Sequence, residues 1–220
     1  MSFEPANLPC PQEQAEHLIA LGVPAQFGLS DQSARAAANH FHKAEGALLV
    51  PTGSPASYTE LVGLLRYQDK PGFVVEDFTD ADQFALFEGT DQKLLNLPES
   101  SWYLAHGPQR GDEFGNASPA EALAAITAQK RVALSMVEGT LLAIQAPEVL
   151  ERNFCYMTIA SRKRKSKGGF DARTPALWIS NGTGRDGIGR KNAPKLGWCW
   201  WNNRHTWLGI AHAANREFSN

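Results

Sequence analysis

Four of the six tryptophans fall in one stretch, Pro194 to Ile210, which reads PKLGWCWWNNRHTWLGI. Aromatic residues this dense favour a pleated, half-buried surface over a helix. Asn202-Asn203 tolerates the positive φ of a type I′ turn, so the stretch predicts a β-hairpin. A two-residue turn there pairs Trp200 with His205 and Trp198 with Trp207. Leu196, Trp198, Trp200, His205 and Trp207 then share one face, and Cys199 points to the other. A three-residue loop over 202–204 would instead set Cys199 opposite Trp207. In the preferred register no Cys199–His205 dyad forms, and the Trp198, Trp200 and Trp207 face is expected to be the seam between sheet and helices.

The helices for that seam are written upstream. Ser118-Pro119-Ala120-Glu121 is a capping box with proline at the first helical position, opening EALAAITAQK. Ser135-Met136-Val137-Glu138 is a second, opening GTLLAIQ, which stops before Pro147. Leu123 and Ile126, and Leu141, Leu142 and Ile144, give both helices apolar faces. Nearer the amino terminus, helices are predicted over 11–21 and 30–44 and after the Ser57 capping box. Strands are predicted at 47–51, 73–75 and 101–107, with a short helix or turn at 80–87. Beyond Leu150, strands are expected at 154–160 and 175–180. The fold class is therefore α+β: N-terminal helices and short strands, then a C-terminal antiparallel sheet ending in the Trp-rich hairpin. One domain over residues 1–220 is expected, with a weak subdivision near 147 into an acidic helical part (1–147) and a basic β part (148–220).

Charge follows the same division. Residues 1–151 hold 8 Lys and Arg against 20 Asp and Glu, whereas residues 152–220 hold 13 against 3. The basic pole is concentrated in two loops, Ser161 to Gly169 and Asn181 to Ala193, and can attract anions. No apolar run approaches the roughly 20 residues a membrane-spanning helix needs. The start lacks the charged and apolar regions of a signal peptide. Cys10, Cys155 and Cys199 are an odd trio without short spacing, which argues against a disulfide framework. A cytoplasmic protein is expected.

Several usual chemistries are excluded. Gly182 to Gly187 matches GxGxxG after a predicted strand, but IGRKNAPK follows with no helical period, so no helix N-terminus would hold a pyrophosphate. Cys155, Cys199, His205 and His212 contain no close pair of zinc ligands, and neither metal nor cofactor is expected. Asp171 and Arg173 flank the first basic loop and read as an ion pair tying it down.

PEVLERNFCYMTIASR, DARTPALWIS and PKLGWCWWNNRHTWLG, in that order, together with SPAEALAAITAQKRVALSMVEGTLLAIQ upstream, resemble an actinobacterial domain-of-unknown-function family, number 5701. The resemblance is strongest over residues 118–210. It implies a bacterial, cytoplasmic protein and no particular activity. RKRKSKGGF and NGTGRDGIGRKN are additional to the family pattern, so the basic loops need not serve the whole family.

The function expected is non-enzymatic binding of an anionic ligand, nucleic acid or a nucleotide-like molecule, through the basic pole. Arg162, Lys163, Arg164, Arg173, Lys195, Trp200, Arg204 and His205 are the ligand-binding candidates, converging where His205, Lys195 and the two loops meet. Aromatic faces beside cations suit the bases of single-stranded nucleic acid. The alternatives are an enzyme using His205 with Asp171 or Cys199, and a protein-interaction module whose basic pole meets an acidic partner. The oligomeric state is left open.

Overall fold

The computed structural model describes residues 7–75, 84–90, 93–95, 97–98 and 100–219. In order the elements are α1 (Pro11–Ala20), α2 (Val23–Gln26), α3 (Asp31–His40), β1 (Ala47–Pro51), α4 (Tyr58–Gly63), β2 (Arg66–Tyr67), β3 (Lys70–Pro71) and β4 (Phe73–Val74). Next come β5 (Phe84–Glu88), β6 (Lys93–Leu94), β7 (Trp102–His106), α5 (Pro119–Ala128), β8 (Val132–Ala133) and α6 (Met136–Gln145). The chain closes with β9 (Cys155–Met157), β10 (Ser161–Lys163), β11 (Arg173–Ile179), β12 (Pro194–Trp200), β13 (Leu208–Ile210), β14 (His212–Ala213) and β15 (Asn215–Phe218). The fold is α+β. No helix among the described residues is long and apolar enough to cross a membrane.

Local chemistry starts the helices where the capping residues stand. Ser135 Oγ accepts from the Glu138 amide at 3.2 Å, and the Glu138 carboxylate accepts from the Ser135 amide at 2.6 Å. Ser118 and Glu121 repeat the exchange at 3.4 and 2.9 Å. Each such cap contributes about 1 kcal/mol. Ser30 and Ser57 cap α3 and α4 through the amides of Ser33 and Glu60.

Helix α6 is buried along its whole length, not on one face. It packs on β1, in the antiparallel sheet β1-β7-β15, and on β11, in the five-stranded sheet β13-β9-β11-β12-β4. A helix apolar nearly all round needs cover on both sides. Gly139 permits the approach to the larger sheet: a Cβ there would lie 2.3 Å from Thr158 Cγ2, and the Tyr156 hydroxyl donates to the Gly139 carbonyl at 2.8 Å. The larger core joins Leu48, Leu104, Leu141, Leu177 and Leu196. A second core lies on the other face of the five-stranded sheet, where Ala122 and Ile126 of α5 meet Cys155, Met157 and Ile210.

The predicted hairpin does not form. Strand β12 pairs antiparallel with β11, from Trp200↔Arg173 to Pro194↔Ile179, and parallel with β4. Strand β13 pairs parallel with β9, Leu208 opposite Cys155, at the far edge of the sheet. Asn203 N does donate back to the Trp200 carbonyl at 3.1 Å. The chain then crosses β11 and β9 instead of returning along β12. The physical reason is that β11 offers β12 a partner at all seven positions, a longer ladder than the three-residue β13 could supply. The alternation of β12 is as expected: Leu196 enters the larger core, while Cys199 and Trp201 pack on the second. Trp200 and Trp207 are exposed, so they are not a seam between sheet and helices. Residues 84–87 of the predicted 80–87 helix or turn lie instead in strand β5, which pairs with β10, and residues 80–83 lie outside the described residues.

Candidate functional site

The site is built where β10 turns into β11 and β12 ends beside them. Residues 164–170 form a tight loop, closed by the Arg164↔Phe170 bridge and by Lys165 N donating to the Gly169 carbonyl at 3.0 Å. Gly168 and Gly169 take φ of 89° and 73°, a region most residues avoid. The turn carries Phe170 back to Arg162, whose guanidinium stands 5.5 Å from that ring and 3.8 Å over the ring of Trp201.

Arg162 is only 4% exposed. Its Nη2 donates to the Asp171 carbonyl at 3.1 Å, whereas Nε and Nη1 are buried with no acceptor among the described residues. Burial, offset only in part by the charge of Asp171, lowers the guanidinium to about 10. The Asp171 carboxylate is engaged elsewhere. It accepts from Arg173 Nη2 at 2.8 Å, Nε at 3.1 Å and the Arg173 amide at 2.8 Å. The Arg173 side-chain bonds are the main reason its carboxyl is held at about 2. Arg173 in turn lies 5.8 Å from the centre of Trp198, which meets Trp200 edge-on at 4.8 Å. Trp200 is 45% exposed. The end of the sheet thus presents a buried cation with unmet donors, a second arginine locked to a carboxylate, and an open indole face. An anion's oxygens would satisfy donors that otherwise cost about 1–3 kcal/mol each, and the open face can stack on a ring.

The remaining sequence candidates are dispersed. Lys163 is half-buried on β10 and Arg164 is exposed at the mouth of the loop. Lys195 is at the opposite end of β12, bonded to Asp186 at 2.5 Å and 4.4 Å over the Trp178 ring. Arg204 pairs with Glu121. His205 stands in the crossing segment, its ring 4.9 Å from that of Trp207 and its carbonyl accepting from Asn116 N at 2.8 Å. Cys199 is half-buried opposite Thr174. Asp171, Cys199 and His205 make no hydrogen bond to one another among the described residues.

The two basic loops leave opposite ends of β11, and a seven-residue strand separates them by about 20 Å. The expected meeting of His205, Lys195 and both loops therefore does not occur, because β12 runs from one loop to the other. The GxGxxG loop holds only short 3-10 turns, Gly184–Asp186 and Ile188–Arg190. Among the described residues no three His, Cys, Asp or Glu side chains gather as a metal site.

Trp201 and Phe170 were not legible as partners of Arg162. Strand parity put Trp201 on the Cys199 face, but what covered that face depended on β10, which is distant in sequence.

Residues 17–219 match the family described as Family of unknown function (DUF5701). The chain belongs to this family. The DUF5701 match runs well upstream of the stretch that carries the resemblance in sequence, so α3, β1 and β7 belong to the family region as much as the larger sheet does. No curated protein and no solved structure matches the chain.

Proposed function

We propose that this DUF5701 protein is a binding protein for an anionic ligand with a stackable ring, single-stranded nucleic acid or a nucleotide-like molecule, held at the Arg162–Trp200 end of the five-stranded sheet. The observation that carries the reading is Arg162, a buried cation whose Nε and Nη1 face no acceptor among the described residues. Arg110, a structural arginine of the same chain, is saturated: it bonds Asp112, Glu151 and the Val149 carbonyl. The exposed Trp200 face supplies the stacking surface. On this reading the ligand rounds the end of the sheet, its phosphate oxygens meeting Arg162 beside Trp201 on one face and its ring meeting Trp200 on the other.

Fluorescence anisotropy of a labelled single-stranded oligonucleotide tests this. Binding is expected to weaken with salt, to fall by about 1–3 kcal/mol in Trp200→Ala, and to be lost in Arg162→Met. Equal binding by wild type and both variants would remove the assignment. The reading places the protein in an actinobacterial cytoplasm, in keeping with three free cysteines, and treats residues 1–220 as one domain, for which a single unfolding transition is the check.

A further inference from the structure

A cavity of about 340 Å³ opens at the other end of the same sheet, where β9 and β13 begin and β11 ends. Its aromatic walls are Phe154, Trp178 and Trp207, with Cys155 and Ile179 beside them and Asn153 and Asn181 completing the described lining. The volume is at the lower end of small-ligand pockets, which run from about 300 to 1,000 Å³. Phe154 and Trp207 are 38% and 44% exposed, so two large apolar side chains of this cavity face solvent together.

The walls are fixed in advance. Trp178 lies over Gly197, where a Cβ would come within 2.4 Å of its ring. The Trp207 backbone is tied to β9 by its carbonyl, which accepts from Cys155 N at 3.0 Å, and its ring lies 4.9 Å from that of His205. Arg110 sits 4.8 Å from the Phe154 ring centre, and Lys195 is over Trp178.

Both cations are already neutralised. Arg110 is bonded to Asp112 and Glu151, and Lys195 to Asp186. Burial pushes the Cys155 thiol well up, so it is neutral too. No lining group among the described residues is charged. The polar capacity left is the pair of carboxamides, Asn153 and Asn181, neither of which hydrogen-bonds another described residue through its side chain. A carboxamide offers one acceptor and two donors, the complement of a lactam edge.

We propose that this cavity binds an uncharged planar heteroaromatic molecule with a lactam edge, its ring against Trp207 and Trp178 and its edge read by Asn153 and Asn181. The site is separate from the Arg162 end and does not depend on an anion binding there.

The probe is inosine, an uncharged nucleoside with a lactam edge, titrated into the ¹⁵N-labelled full chain; indole, planar but without that edge, is the control. The indole N–H signals of Trp178 and Trp207 and the side-chain amides of Asn153 and Asn181 should shift together. Affinity should fall at least tenfold in Asn181→Ala and in Trp207→Ala, and little in Trp207→Phe, which keeps a stacking plane if Trp207→Ala disturbs the fold. Inosine should bind at least tenfold more tightly than indole. No shift at these four side chains, shifts confined to Trp200 and its neighbours, or equal affinity for indole would each overturn the proposal.

Discussion

Two buried charges in this chain are handled in opposite ways. Glu138 is fully buried, and burial alone would raise its carboxyl. Arg216 at 2.6 and 2.8 Å, with the Ser135 cap, outweighs that and holds it below the ordinary carboxylate value. The Tyr103 hydroxyl donates to it as well, at 3.0 Å. Removing one partner of such a pair strands the other, at a cost of about 3–5 kcal/mol. Arg216→Met should therefore lower the urea midpoint sharply. Among the described residues Arg162 has no carboxylate on its guanidinium, and two of its nitrogens, Nε and Nη1, are unmet. Replacing a poorly compensated buried charge by an apolar side chain is neutral or stabilising, by about 1–4 kcal/mol. Arg162→Met should hold or raise the urea midpoint while oligonucleotide binding disappears. A large loss of stability in that variant would mark Arg162 as structural instead.

At the scale of elements, the loop between β10 and β11 is pinned by Asp171. Its carboxyl is near 2 in the folded chain against an ordinary value of 3.8. A depressed carboxyl contributes stability that is complete above the unfolded value and is lost as pH falls from about 4 to 2. Unscreened, the shift corresponds to about 2 kcal/mol, and solvent around this partly exposed ion pair reduces it. Acid titration followed by hydrogen exchange of loop amides should show wild type losing protection in that window. Asp171→Asn should lack that acid-dependent step and be less protected at neutral pH. This ion pair was legible from Asp171 and Arg173 because the two are close in sequence. So were the capped starts of α5 and α6, where Ser118, Glu121, Ser135 and Glu138 act within one turn. What failed was pairing at a distance. Nothing within Pro194–Ile210 says that β11 will take all of β12, or that Leu208 must reach Cys155. Arg162 was picked for its charge, but its burial depends on Trp201 and Phe170 arriving from elsewhere. Glu138 was read as a cap alone, because its partner Arg216 lies 78 residues on.

For the whole molecule, the charge division overstates what an anion would meet. The basic part carries 13 Lys and Arg against 3 acidic residues, but several of its cations are already occupied. Lys195 is bonded to Asp186, Arg173 to Asp171, Arg204 to Glu121 and Arg216 to Glu138. Arg190 lies 4.5 Å from the Phe73 ring centre, and Arg152 bonds Asn192, both beyond the opposite end of β11 from Arg162. At the Arg162 end, Arg164, Lys165 and Lys167 are exposed on the loop and form no ion pair among the described residues. Together with Arg162 they can neutralise about four phosphates. For single strands the slope of log K against log salt is about −0.7 per phosphate, which gives about −3. A ligand engaging the net charge of the whole basic part would instead give a slope near −7. Anisotropy titrations across a series of salt concentrations distinguish the two. A slope near −3 that flattens in Lys165→Ala/Lys167→Ala locates binding at this one end of the sheet, whereas a slope near −7 would mean that the second basic loop and the rest of the pole also carry the strand.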